Sequence, residues 1–344
     1  MKKALTVSMG TIAALILFAS LFAWQQARSF LDTAPEEVGQ EVHIRIRPGM
    51  SFDKVAAALH EKHVITSVSK FRLLARYRKL TGSIQAGEFI VNTGWTPDQV
   101  LDMLVKGMPV QYRLQFPEGL AWWDVAKAVE AQEFARAGDF RQVIHDPAFL
   151  KENNIPFDNA EGFLFPETYL MDKPEIMTPR TAWDTASRLV KTFWAKTSPL
   201  WPAGPPPAEE LRRILTIASL VEKETSVPEE RALVAGVYVN RIRRNMLLQA
   251  DPTIIYGIGP AFNGNITRAD LRNATNPYNT YSHPGLPPTP ICSPGLESIR
   301  AALSPQQHAY LYFVARGDGS HQFSKTLQEH NAAVAKYQLR RGRR

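Results

Sequence analysis

A mixed α+β chain behind an N-terminal membrane helix is the fold class that the 344 residues predict, on three observations. Ala4 to Trp24 carries no charged residue and is rich in Leu, Ile, Ala, Val and Phe, about the length a helix needs to cross a hydrocarbon layer. Between Glu41 and Val91, two strand patterns bracket two stretches of helical period, which predicts a small β-α-α-β module. From Glu209 to Glu224 a run without Pro or Gly repeats apolar residues every three or four positions, as a core-facing helix does. The composition, 44% hydrophobic and 21% charged, is that of an ordinary globular chain with room for more than one domain.

The apolar run is preceded by Lys2 and Lys3 and succeeded, after Arg28, by Asp32, Glu36, Glu37 and Glu41. That asymmetry keeps the N-terminus in the cytoplasm and exports the chain beyond residue 30. A cleaved signal peptide is the competing reading, but the run exceeds a usual signal core and no small-x-small cleavage site comes after it. Residues 4–24 are therefore expected to be an uncleaved single-pass anchor. The formal charge of +7 includes Arg340, Arg341, Arg343 and Arg344; the remainder is only +3, so a nucleic-acid partner is not expected. Residues 339–344 read as a solvated basic tail. Cys292 is the single cysteine, which excludes an intrachain disulfide and a cysteine-based zinc cluster, and no metal or cofactor is expected.

Beyond the anchor, Val42, Ile44 and Ile46 alternate onto one face of a strand that Pro48-Gly49 ends. Ser51 is a candidate cap for a helix carrying Val55, Ala56 and Leu59, and residues 69–78 offer a second with Phe71, Leu74 and Ala75. Residues 87–91 return as a strand. Thr96-Pro97-Asp98-Gln99 has capping-box spacing and proline at the first helical position. Residues 111–116 predict a strand and Trp122 to Val129 a helix, whereas 132–160 read as helix fragments and loops. Consecutive prolines make 202–207 a surface linker. Ser226-Val-Pro-Glu229 is a candidate capped start for a helix with Val234, Val237 and Tyr238. Tyr310 to Ala315, Gly317-Asp-Gly319 and His321-Gln-Phe323 predict a hairpin, and His330 and Asn331 fall on a last helix.

The long helix ends in Glu222-Lys-Glu-Thr225, two carboxylates beside an apolar stripe. An apolar wall raises a carboxyl pKa and so makes a general acid. Glu222 and Glu224 flank opposite sides of the stripe, and periodicity does not choose between them. Six prolines between Asn276 and Gly295 predict a rigid irregular segment that presents Tyr278, Asn279 and Tyr281. Glu161 to Tyr169 reads as cleft wall, with core packing as the alternative. His321 and His330 read as structural histidines, because no metal-site spacing accompanies them.

The ordered set Glu222-Lys-Glu-Thr225, Asn240-Arg241, Gln249-x-Asp-Pro-Thr253, Tyr256-Gly257, Tyr278-Asn-Thr-Tyr281, Gly285-Leu-Pro-Pro288, Ser293-Pro-Gly295 and Tyr312-Phe-Val314 resembles the endolytic transglycosylase family also called YceG-like. The resemblance implies an enzyme that cuts peptidoglycan glycan strands between MurNAc and GlcNAc, leaving 1,6-anhydro-MurNAc ends. It places the catalytic acid on Glu224 and implies substrate contacts at Gln249, Asp251, Asn279, Tyr281, Glu222 and Asn240. Asp251 and Glu167 are the candidate second acids. It further implies an inner-membrane protein with a periplasmic catalytic region over 111–338, peptidoglycan synthases as partners and nascent strands as substrate. The module at 38–110 resembles a LysM-type glycan-binding fold in its arrangement, with a packing subdomain as the alternative. A hydrolytic glycosidase with a second carboxylate and a non-enzymatic wall-binding scaffold are the competing functions.

Overall fold

The computed structural model describes residues 17–339 except 19 and 23. Most of the apolar run at 4–24 and all of 340–344 lie outside the described residues; residues 24–32 are helical. No helix among the described residues is long and apolar enough to cross a membrane. The fold is mixed α and β, with three two-stranded sheets among the helices of the described residues, and divides into two compact units between Tyr112 and Arg113.

In the first unit, β1 (Glu41–Ile46) pairs antiparallel with β2 (Gly87–Asn92), Ile44 opposite Phe89 and Val42 opposite Val91. Alternation sends Ile44, Ile46, Phe89 and Val91 to one face, where all are buried. Helices α1 (Phe52–Glu61), α2 (Val68–Tyr77) and α3 (Pro97–Lys106) cover that face with Val55, Leu59, Phe71, Leu74, Val100, Leu101 and Leu104. Each such side chain stabilises the unit by about 1.5–3 kcal/mol on burial. Thr96 and Gln99 form the expected capping box. Two caps differ from expectation. Ser51 makes no side-chain cap bond, and α2 starts one residue earlier than its pattern predicts because Ser67 accepts the Lys70 N–H.

The second unit starts with β3 (Tyr112–Gln115), which pairs with β4 (Thr168–Met171), and between them lie α4 (Trp122–Ala131), α5 (Ala137–Val143) and α6 (Pro147–Glu152). The 19-residue α7 (Pro179–Thr197) comes next, opened by a Thr178–Thr181 capping box. At the centre of the unit is α8 (Ala208–Glu224), buried without a break from Ile214 to Val221 and therefore a core helix rather than an amphipathic surface one. Packed on it are α9 (Arg231–Arg243) and, beyond α10 (Asp251–Ile258) and α11 (Arg268–Arg272), α12 (Leu296–Leu303). Ser226 does not cap α9: the Thr225 hydroxyl accepts the Val227 N–H, and Pro228–Glu230 form a 3-10 turn that runs into the helix. β5 (Tyr312–Ala315) and β6 (His321–Ser324) form the terminal hairpin, and α13 (Leu327–Val334) ends in a π-helical turn through Leu339.

Candidate active site

Glu224 is the last residue of α8; Thr225 is extended and ends the helix. The side chain leaves the C-terminal end of a helix buried from Ile214 to Val221 and lines a cleft of about 440 Å³ with Tyr238, Arg241, Gln249, Asp251, Tyr281, Phe313, His321 and His330. Tyr238 on α9 donates its hydroxyl to Glu224 Oε1 at 3.0 Å, which holds the carboxyl through that oxygen and leaves Oε2 without a hydrogen bond among the described residues. Burial raises the Glu224 pKa most; nearby Asp251 pushes the same way, while the Tyr238 hydrogen bond, His321 and Arg241 partly oppose it. The partial negative charge at the end of α8 also disfavours the anion. A carboxyl so placed keeps its proton to higher pH than a solvated one, as a general acid requires.

The far wall is built by stitching one loop onto another. Thr280 accepts the Gln249 N–H through its carbonyl at 3.1 Å and the Ala250 N–H through its hydroxyl at 3.0 Å, and Thr253 shares a 2.9 Å hydroxyl contact with it. Gln249 is held at φ 49°, a left-handed conformation that costs a non-glycine residue energy and recurs at functional sites. Its exposed amide makes no hydrogen bond among the described residues, so it is available to substrate. Tyr281 donates to Asp251 at 2.6 Å. Arg241, nearly buried, crosses beneath, its guanidinium donating to the carbonyls of Leu247, Leu248 and Leu311 and lying 5.1 Å from the Tyr312 ring centroid.

Four of the seven residues expected at the site, Glu224, Gln249, Asp251 and Tyr281, thus meet in one cleft. The other three are engaged elsewhere. Asn279 is fully buried, its amide donating to the carbonyls of Asp270, Leu271 and Asn273, so it pins the proline-rich segment from within. Asn240 donates to the carbonyls of His308 and Tyr310. Glu222 accepts the Gly295 N–H at 2.9 Å and a hydrogen bond with Glu118, whose carboxyl is raised by burial and then by Glu222. A Cβ on Gly295 would lie 2.0 Å from a Glu118 oxygen, so a side chain there would displace the Glu118 carboxyl. Glu167 pairs with Lys196 at 2.7 Å and is not among the cleft residues, which leaves Asp251 as the second carboxylate. His321 and His330, which the sequence suggests are structural, both line the cleft. Tyr238 and Glu230, which holds His321, carry no signal in the sequence beyond an apolar period or a helix start, whereas Phe313 falls within the Tyr312-Phe-Val314 motif.

The stretch Glu161 to Tyr169 is core rather than cleft wall: Glu161, Phe163, Leu164, Phe165 and Tyr169 are all buried. Glu161 accepts N–H groups from Trp122 and Gly162 and the Tyr256 hydroxyl, and burial pushes its carboxyl from 4.5 up to about 7. The folded state therefore keeps a proton that the unfolded chain loses between these values. The associated stability is complete below the unfolded value and lost as pH rises to about 7, by up to about 3 kcal/mol. Glu161→Gln is expected to flatten the pH dependence of the urea midpoint between about pH 5 and 8. An unchanged slope would assign the proton elsewhere.

The sequence from residue 44 to residue 336 matches the model of the YceG-like family. A Bacillus subtilis protein named endolytic murein transglycosylase is 30% identical over 333 residues, covering 92% of this chain and 90% of its own. One of the same name from Streptococcus pneumoniae serotype 2 is 26% identical over 97% of this chain, which spans 65% of that longer protein. The crystal structure of a YceG-like protein from Listeria monocytogenes superposes with a TM-score of 0.55 at 30% identity, over 85% of this chain and 99% of the other. With its motifs, its fold and this match across most of its length, the chain belongs to the YceG-like family.

Proposed function

We propose that this protein is an endolytic murein transglycosylase that cleaves MurNAc-GlcNAc bonds inside peptidoglycan glycan strands, with Glu224 as its acid. The observation that carries this reading is the Glu224 carboxyl: its pKa raised by burial, its Oε1 held by Tyr238, and its side chain lining a polar cleft. Glu224 gives its proton to the glycosidic oxygen as the bond to C1 breaks; the MurNAc 6-hydroxyl closes on C1 and its proton returns to the carboxylate. The product is a 1,6-anhydro-MurNAc end, and no water is consumed. Gln249 and the Asp251–Tyr281 pair contact the sugars across the cleft. Because Asp251 shares the cleft, hydrolysis through a second carboxylate is the competing reading. Digestion of purified glycan strands, with mass spectrometry of the fragments, tests the proposal: it predicts anhydro ends and a fall in mean strand length from the first turnover. Reducing ends would support the hydrolase instead.

The enzyme is anchored in the inner membrane by residues 4–24 with its N-terminus cytoplasmic, and its catalytic domain, 111–338, works in the periplasm on nascent strands, ending their elongation beside peptidoglycan synthases. The charge asymmetry about the apolar run supports this. The full chain is expected to fractionate with membranes, and recovery of a mature protein lacking residues 1–23 in the soluble periplasm would contradict it. The β-α-α-β arrangement of residues 38–110 is the basis for reading that unit as LysM-like and glycan-binding. Its deletion is expected to weaken co-sedimentation with sacculi, and unchanged sedimentation would make it a packing unit only.

A further inference from the structure

We propose that His321 is a second catalytic residue, whose Nε2 takes the proton of the attacking 6-hydroxyl and relays it to the Glu224 carboxylate. The inference rests on the transglycosylase reading above and deepens it. Its basis is a buried clamp on the opposite side of the imidazole. Glu230, only 8% exposed, places Oε2 2.6 Å from His321 Nδ1 and accepts the His321 backbone N–H on Oε1 at 2.8 Å. The Thr225 hydroxyl, next to Glu224 in sequence, donates to Oε2 at 3.3 Å. Carboxylate oxygens accept and do not donate, so Nδ1 carries a proton, and in the neutral ring Nε2 holds the lone pair.

Nε2 has no hydrogen-bond partner among the described residues, and the ring lines the same cleft as Glu224, with Phe313 packed edge-on at 5.5 Å and 88°. A histidine held through Nδ1 by a buried acid, its ring lining the same cleft as a carboxyl that has just lost its proton, is the arrangement a proton relay needs. The balance closes without another reagent. The C1–oxygen bond breaks as Glu224 protonates the leaving sugar; O6 bonds to C1 and its proton passes to Nε2; the imidazolium, balanced by Glu230, returns that proton to Glu224.

Glu230→Gln provides the sharper test. The His321 backbone N–H claims the amide oxygen of the new side chain, so the amide NH2 faces Nδ1 and forces the opposite tautomer, with Nε2 protonated and unable to accept. The rate constant kcat is expected to fall about 10²-fold with KM little changed. His321→Ala is expected to fall by about 10²–10³-fold and to recover in part with added imidazole. If both variants, folded by circular dichroism, form anhydro ends at the wild-type rate, the role of His321 is overturned; if His321→Ala does not fold, Glu230→Gln decides alone. A wild-type enzyme that makes reducing ends overturns the transglycosylase reading instead, whatever these variants do.

Discussion

Glu224→Gln is expected to lower anhydro-product formation by about two to four orders of magnitude while binding to glycan strands survives. Glutamine keeps the shape and can still accept the Tyr238 hydroxyl at Oε1, but it cannot give up a proton. The effect should fall on kcat, because the proton transfer belongs to the transition state and not to the encounter. Glu222→Gln is the matched control. Its carboxyl is tied to Gly295 and Glu118 outside the cleft, so its loss should cost far less activity. Full activity in Glu224→Gln with loss in Glu222→Gln would reverse the assignment.

Arg241→Met is expected to cost about 3–5 kcal/mol of stability, read as a lowered urea midpoint. The guanidinium satisfies three backbone carbonyls, two in the loop before Gln249 and one on the approach to β5, with donor distances between 2.7 and 3.2 Å. Methionine has similar bulk and no donor, so those carbonyls lose their partners in a place water reaches poorly. The same three bonds join the two walls of the cleft, and activity should fall with stability. Arg241→Lys should rescue little, since one ammonium cannot reproduce the fork. A loss below about 1 kcal/mol would show that the loop holds its shape without the arginine.

The features legible in the sequence are local ones. The three-and-four spacing of Leu211, Ile214, Leu215, Ala218 and Val221 locates α8, and Thr96 to Gln99 announces its own capping box. Where two neighbouring residues compete for one job, the pattern misleads: Ser226 looks the better start although the Thr225 hydroxyl is the one bonded to Val227. The site divides along the same line. Glu224, Gln249, Asp251 and Tyr281 are recognisable because family motifs centre on them. Asn279 and Asn240 resemble sugar ligands in sequence, yet their amides are satisfied by carbonyls that only the folded chain brings near. Glu230 and His321 lie 91 positions apart, and no spacing rule links residues joined solely by tertiary structure. Glu161 belongs to a stretch that reads as cleft wall, yet its carboxylate is satisfied in the core by the backbone N–H of Trp122, 39 residues away.

The central claim, that Glu224 drives an intramolecular closure and not a hydrolysis, is tested most directly by running the wild-type reaction in water enriched in heavy oxygen and weighing the new glycan ends. The account predicts ends one water lighter than a hydrolysed product and free of the label, formed by the wild type and nearly absent with Glu224→Gln. Labelled ends carrying a free reducing sugar would contradict it and give Asp251 the role of second carboxylate.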